Sequence, residues 1–305
     1  MKLTKRAMIL PAASLLLLSG CAQPSAYKDP ISKFHESSAI VIKNAENEYK
    51  LINKKQRDAE IDTSVNLGTS IDSNIIVRGD WFLIKKDDLN ARLDALTALN
   101  NHGKLLLALV NSDAPNEASK AVNSLDDAVL HLKDSLKKAS PGDGFKDKAG
   151  AFATIAGEVT KLVMENKIKE ALDKAIILSE NDVLSLINLL EEEMLIHLPA
   201  KEHVRLSKVS KAAIEAYNKE VASDLEKRKK TGAEIKKAGD DWEAFIFRPD
   251  PGFEAMKEAH ETLVKYAKSP KTPQNIEELV AAMDDFAGQA KIIADSIKTI
   301  QQVKE

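Results

Sequence analysis

Six histidines, one cysteine and a run of bases are the residues through which this 305-residue chain could do chemistry. The histidines are His35, His102, His131, His197, His203 and His260. None belongs to an HExxH pair, the spacing that sets two imidazoles on one helical face for zinc. No Glu-x-x-His occurs, so the ligand motif of a di-iron bundle is missing. Glu193 and His197 are four apart and share a helical face. One carboxylate and one imidazole supply two ligands at most, and a solvated or capping histidine is the simpler reading. There is no GxSxG elbow and no Walker phosphate loop. The expectation is therefore no catalytic residue, no metal, no cofactor and no enzyme. Lys227-Arg228-Lys229-Lys230, extended by Lys236 and Lys237, is the densest cationic run. It suits an anionic partner such as lipid phosphate or an acidic protein. A solvated helix face is the plainer reading, because lysine is the ordinary surface residue of long helices.

The elements that position these residues are legible in composition. Ala, Glu, Lys, Leu and Arg make up 141 of the 305 residues, and aromatics only 5%. That is close to the level that marks long helices, and it argues against sandwiches, barrels and repeated βαβ units. The fold expected is all-α: an elongated antiparallel helical bundle, or two, with a coiled-coil character. Prolines mark the borders, since proline breaks helix interiors. Asp29-Pro30 starts a first helix over about 31–62, and Thr272-Pro273 caps the last one. Between them, apolar residues recur three or four apart. The faces are Leu89 to Val110, Leu125 to Leu136, Ile155 to Leu162, Ile168 onward to about His197, and Ile276 to Ile300 on the last helix. The stretch 175–196 is apolar on more than one face, which reads as a central helix. The division expected is 31–140 for one bundle and 141–305 for a second, with a long helix near 200–247 that Gly232 and Gly239 could interrupt. Residues 74–84 allow a short β-hairpin around Gly79-Asp80 or an apolar loop. Trp242, Phe245 and Phe247 form the densest aromatic cluster and read as a plug at a bundle end.

Charge suggests one pairing. Residues 165–193 carry eight acids and three bases, and residues 201–237 carry eleven bases and six acids. A hairpin at Leu198-Pro199 would bring Glu191, Glu192 and Glu193 near Lys201, Arg205 and Lys208. A continuous kinked helix through Pro199 is the alternative.

The N-terminus reads MKLTKRAMILPAASLLLLSGC. Lys2, Lys5 and Arg6 precede a short apolar stretch, Ala7 to Leu18, and then Ser19-Gly20. A basic start, a short apolar run and small residues describe a secretory signal peptide. Leu18-Ser19-Gly20-Cys21 resembles the lipobox of bacterial lipoproteins. The resemblance covers the first two dozen residues only. It implies cleavage before Cys21, lipid chains of the palmitate class on that residue, and a lipid-anchored cell-envelope protein. It also implies a tether over 21–30. Ala22 and Gln23 follow where an Asp would resemble an inner-membrane retention signal, so a Gram-negative source would imply the outer membrane, facing the periplasm. No disulfide can form within a chain of one cysteine, so the body must hold by packing alone. Removing residues 1–20 leaves 41 bases against 47 acids, a balance that does not suggest nucleic acid as a partner. Glu36-Ser37 resembles the catalytic Glu-Ser of lytic transglycosylases, and nothing else of that family accompanies it.

The function expected is a non-catalytic envelope protein that binds a protein partner through a helical face, as a scaffold, adaptor or immunity-type factor. The alternative is a periplasmic binding module for a small ligand or cell-wall fragment.

Overall fold

A helix of 43 residues, Ser25–Leu67, is the spine on which the other elements pack. The computed structural model describes residues 25–71, 82–111, 115–140, 161–163, 165, 167–220, 224–246 and 250–303. After α1 come α2 (Lys86–Asn111), α3 (Pro115–Lys138) and α4 (Ile168–Glu192). A π-helical turn, Glu193–His197, leads into α5 (Leu198–Lys219). Then come α6 (Leu225–Ile246), α7 (Phe253–Lys268) and α8 (Pro273–Val303). Among the described residues there is no strand, and the all-α reading holds. Most of the hairpin segment, residues 72–81, lies outside the described residues, as does most of the face Ile155 to Leu162. Among the described residues no helix is long and apolar enough to cross a membrane.

The expected faces are the buried ones. Leu96, Leu99, Leu106 and Val110 of α2 are buried, as are Leu125, Val129, Leu132 and Leu136 of α3. On α8, Leu279, Met283, Phe286 and Ile293 face inward. Thr272 Oγ1 accepts the Asn275 N–H at 3.3 Å, the cap expected before Pro273. The first helix differs: it begins at Ser25 and carries Pro30 inside. Proline at the sixth helical residue removes a single bond near a helix end, where the cost is least. Tyr27 secures this end. Its hydroxyl donates to Asp173 of α4 at 2.5 Å, and its ring meets Tyr266 of α7 edge-on at 4.9 Å.

The hairpin at Leu198-Pro199 does not form. The chain stays helical through the junction, with Glu192, Glu193, His197 and Leu198 all in right-handed helical backbone. Pro199 cannot donate a hydrogen bond, and its ring crowds the carbonyl four residues back. The π turn relieves that crowding: Leu198 N–H bonds to Glu193 O, five residues back. The unbroken helical path 168–219 is therefore about 78 Å long at ~1.5 Å per residue. The long helix lies N-terminal to the expected 200–247. It ends at Lys219, where Glu220 turns extended at ψ 134, while Gly232 and Gly239 sit inside α6 without interrupting it.

Thickness varies along the spine. One contiguous apolar core joins α1, α2, α3, α4, α7 and α8, with side chains from both 31–140 and 141–305. Among the described residues α5 packs on α1 and α6 on α5, and Lys237 of α6 reaches Asp62 near the far end of α1 at 3.0 Å. The apolar contacts of this arm are small: Ala59, Leu206, Ala212, Ala213, Ala216 and Ala238 are buried, outside the main core. An alanine removes far less apolar area from water than a leucine, so the arm is the less stable part.

Gly252 joins arm to core, at φ +84 before α7. A Cβ there would lie 2.5 Å from Ile293 Cδ1 and 3.0 Å from Val41 Cγ2. Gly68, at φ +67, has nothing within 4 Å. Gly252→Ala is expected to cost about 2–4 kcal/mol, from backbone and packing together, against about 1 kcal/mol for Gly68→Ala. Urea unfolding measures both, and equal losses would remove the Ile293 contact from the account.

Candidate functional site: a buried polar seam and an outward helical face

The first polar cluster in the core comes from three elements, the π turn, α2 and α1. Glu193 opens the π turn and is 5% exposed. Arg92 of α2 grips it through Nη2 at 2.6 Å and through Nε at 2.7 Å. Tyr49 of α1 donates its hydroxyl to the same carboxylate at 2.9 Å. Arg92 Nη1 also donates to the Asp88 carbonyl at 2.8 Å. A carboxylate held by a guanidinium and a phenol is a structural ion pair, with no lone pair aimed at a substrate.

The acids expected to pair with α5 go elsewhere, because a continuous helix points them away from it. Glu193 turns inward to Arg92. Glu192 reaches His197 at 3.5 Å. Arg205 pairs with Glu202 at 2.7 Å, and Lys208 with Glu60 of α1 at 2.7 Å. Glu193 and His197 part company: one is buried and the other exposed. Burial, and then a hydrogen bond to Glu254 of α7, pushes the Glu191 carboxyl up to about 7.

A second polar group lies deeper. His260 of α7 and His102 of α2 are 0% and 1% exposed, with ring centroids 6.0 Å apart and planes at 72°. Ser179 of α4 lies 3.4 Å from His102 Nε2. Phe34 of α1 stacks obliquely on His260 at 6.1 Å. Among the described residues neither His260 nitrogen has a hydrogen-bond partner. Burial pushes His102 down to about 4, and burial followed by the neighbouring ring pushes His260 down to about 3. Helix periodicity alone placed neither ring inside; a histidine within an otherwise apolar stripe, as in Leu99-His102-Leu106, was the available signal.

The outward face is on the arm. Ile196 in the π turn and Ala200, Val204, Ser207, Lys211 and Ile214 on α5 recur three or four apart and are all exposed. Val204 is 67% exposed. On α6, Leu225 is 63% and Ile246 65% exposed and Gly239 is exposed, while Gly232 is partly buried, with the Tyr217 ring of α5 3.9 Å from where its Cβ would lie. Trp242 locks the two helices together. Its Nε1 donates to Ser210 at 2.9 Å, and its ring meets His203 at 5.1 Å and Phe245 at 5.8 Å. It acts as a clasp between α5 and α6, while Phe247 lies outside the described residues.

The basic run lies on the first turns of α6. Lys227 reaches Asp224 at 3.5 Å and Lys229 reaches Glu226 at 3.1 Å. Arg228 stacks on the Tyr217 ring at 4.7 Å and donates to its hydroxyl at 2.8 Å. Lys230 is exposed. Cys21 lies outside the described residues. Among the described residues no three of His, Cys, Asp and Glu converge for a metal. A depression of about 320 Å³ between α7 and α8 is lined by Glu258, Glu261, Thr262, Asp285 and Gln289.

Removing one partner of a buried ion pair strands the other charge. Glu193→Ala is expected to cost about 3–5 kcal/mol, whereas the double change Arg92→Met with Glu193→Leu costs less than that single. Denaturant melts of the three variants test this, and additive losses would contradict the pairing argument.

No protein-family model, curated protein or solved structure matches the chain.

Proposed function

We propose that the chain is a non-catalytic, lipid-anchored cell-envelope protein that engages a protein partner by seating one of the partner's helices between α5 and α6. The observation that carries this reading is the set of exposed apolar side chains on the two packed helices of the arm, Val204 and Ile214 on α5 and Leu225 and Ile246 on α6. Large exposed apolar side chains, with charged residues at the rim, mark interaction surfaces on other proteins. Lys201, Lys227 and Lys230 are exposed on the same two helices, which suits a helix with acidic borders. The lipobox resemblance at Leu18–Cys21 supports anchoring of the whole at a membrane.

The acid-lined depression between α7 and α8 supports a second reading, a binding module for a small ligand. Its lining carboxylates favour a cation and disfavour cell-wall fragments, which carry carboxylates of their own.

A photo-crosslinking residue at Val204, and another at Lys137 on α3 as control, tests the partner reading in intact cells. The expected result is one discrete adduct from 204, mapping to an amphipathic helix, at least about tenfold above the control. Ile246→Asp in the same chain should remove it. Adducts at 137 but not at 204 would sink the choice of face. Cys21→Ala should abolish labelling by a palmitate analogue, and persistent labelling would overturn the anchor.

A further inference from the structure

We propose that His260 is an acid-sensitive latch: its neutral ring keeps α7 packed in the core, and proton uptake releases α7 from the helices around it. The geometry is specific. α7 is a 16-residue strap, Phe253–Lys268, packed on α4, α8 and α1. Left-handed residues flank it, Gly252 at φ +84 and Lys271 at φ +53. His260 sits at its middle, fully buried, and neither of its nitrogens has a hydrogen-bond partner among the described residues. An imidazolium there would have two donors and no acceptor, so the proton is accommodated only if water reaches the ring.

The groups facing this ring are few. α2 presents His102, a second base, which disfavours a nearby positive charge. α1 presents Phe34, with Phe286 of α8 behind it. His35 of α1 is also held below its usual value, by burial and then by Lys104. α4 presents Ser179, next to His102. The carboxylates around the strap are at its rim: Lys268 pairs with Glu180 of α4 at 2.5 Å, and Lys265 with Glu278 of α8 at 2.8 Å. Lys33 of α1 pairs with Asp284 of α8 at 2.7 Å. Among the described residues none of these acids bonds to His260.

An exposed imidazole titrates near pH 6.5, about three units above the packed ring. Between those values the released state binds the proton and the packed state does not. Packing is therefore fully favoured above about pH 6.5 and weakens as pH falls toward the packed value. Between pH 8 and pH 5 this ring alone favours release by about 30-fold. Glu191 opposes it. Its carboxyl, raised beside Glu254 in the first turn of α7, takes up a proton as pH falls through about 7, which removes a repulsion.

The test separates the two. Hydrogen exchange of α7 amides, corrected for intrinsic rates, is followed from pH 8 to pH 5 on the full chain in mild detergent, carrying Glu191→Gln. Opening of α7 should rise at least about 30-fold, and by about 30-fold less when His260→Phe is added. An unchanged pH dependence in the His260→Phe chain would overturn the latch, as would α3 opening before α7. If that variant does not fold, histidine-selective NMR of the parent chain decides. His260 should stay neutral in the packed state down to about pH 5, and a packed-state titration near 6.5 would overturn the proposal.

Discussion

The buried carboxylate of Glu193 holds three helices in register. It sits where α4 must pass Pro199 to become α5, and it is gripped by Arg92 of α2 and Tyr49 of α1. A proline in a helix interior ordinarily breaks or kinks it. Here one widened turn absorbs the proline, and the same turn faces Glu193 into the core. The ion pair and the π turn depend on each other. Without the pair, the wide turn would bury an uncompensated charge; without the turn, the proline would crowd the backbone carbonyl beneath it. Because the helix survives, the molecule has a second long axis beside α1, and α5 is carried beyond the main core.

That extension divides the structure by thickness. Six helices share one apolar core, while the arm of α1, α5 and α6 is held by alanines, by Trp242 and by surface ion pairs such as Lys208 with Glu60 and Lys237 with Asp62. Exposed pairs of this kind contribute about 0–1 kcal/mol each. A thin, polar-edged arm with exposed apolar side chains on two helices has more surface to offer a partner than core to lose. The proposed docking face is there for that reason, and the rigid core beneath supplies the platform. The polar groups buried in that core serve packing and, in the case of His260, sensitivity to protons.

Much of the architecture was legible before any coordinates. The three-to-four spacing of apolar residues in α2, α3 and α8 marks faces that are indeed buried, and Thr272-Pro273 marks the start of the last helix. Pro30 and Pro199 were misleading because a proline reports a local cost, while the helix reports the sum over many residues. One periodic signal did announce continuity. Leu186, Leu190, Met194, Leu198, Glu202 and Leu206 are buried at every fourth residue across the junction. On an ideal helix that stripe drifts by about 40° per step, and a wider turn takes back part of the drift.

By itself, the sequence determined the helical class, the faces that turn inward and the resemblance at Leu18–Cys21, since each rests on residues near one another in the chain. Only the tertiary structure decided the partners of the charges. Glu193 meets Arg92 across 101 positions and Tyr49 across 144, and His260 meets His102 from another helix altogether. Opposite charge is common along such a chain, so composition allows many pairings. Which of them forms depends on where the packed helices leave a carboxylate without water.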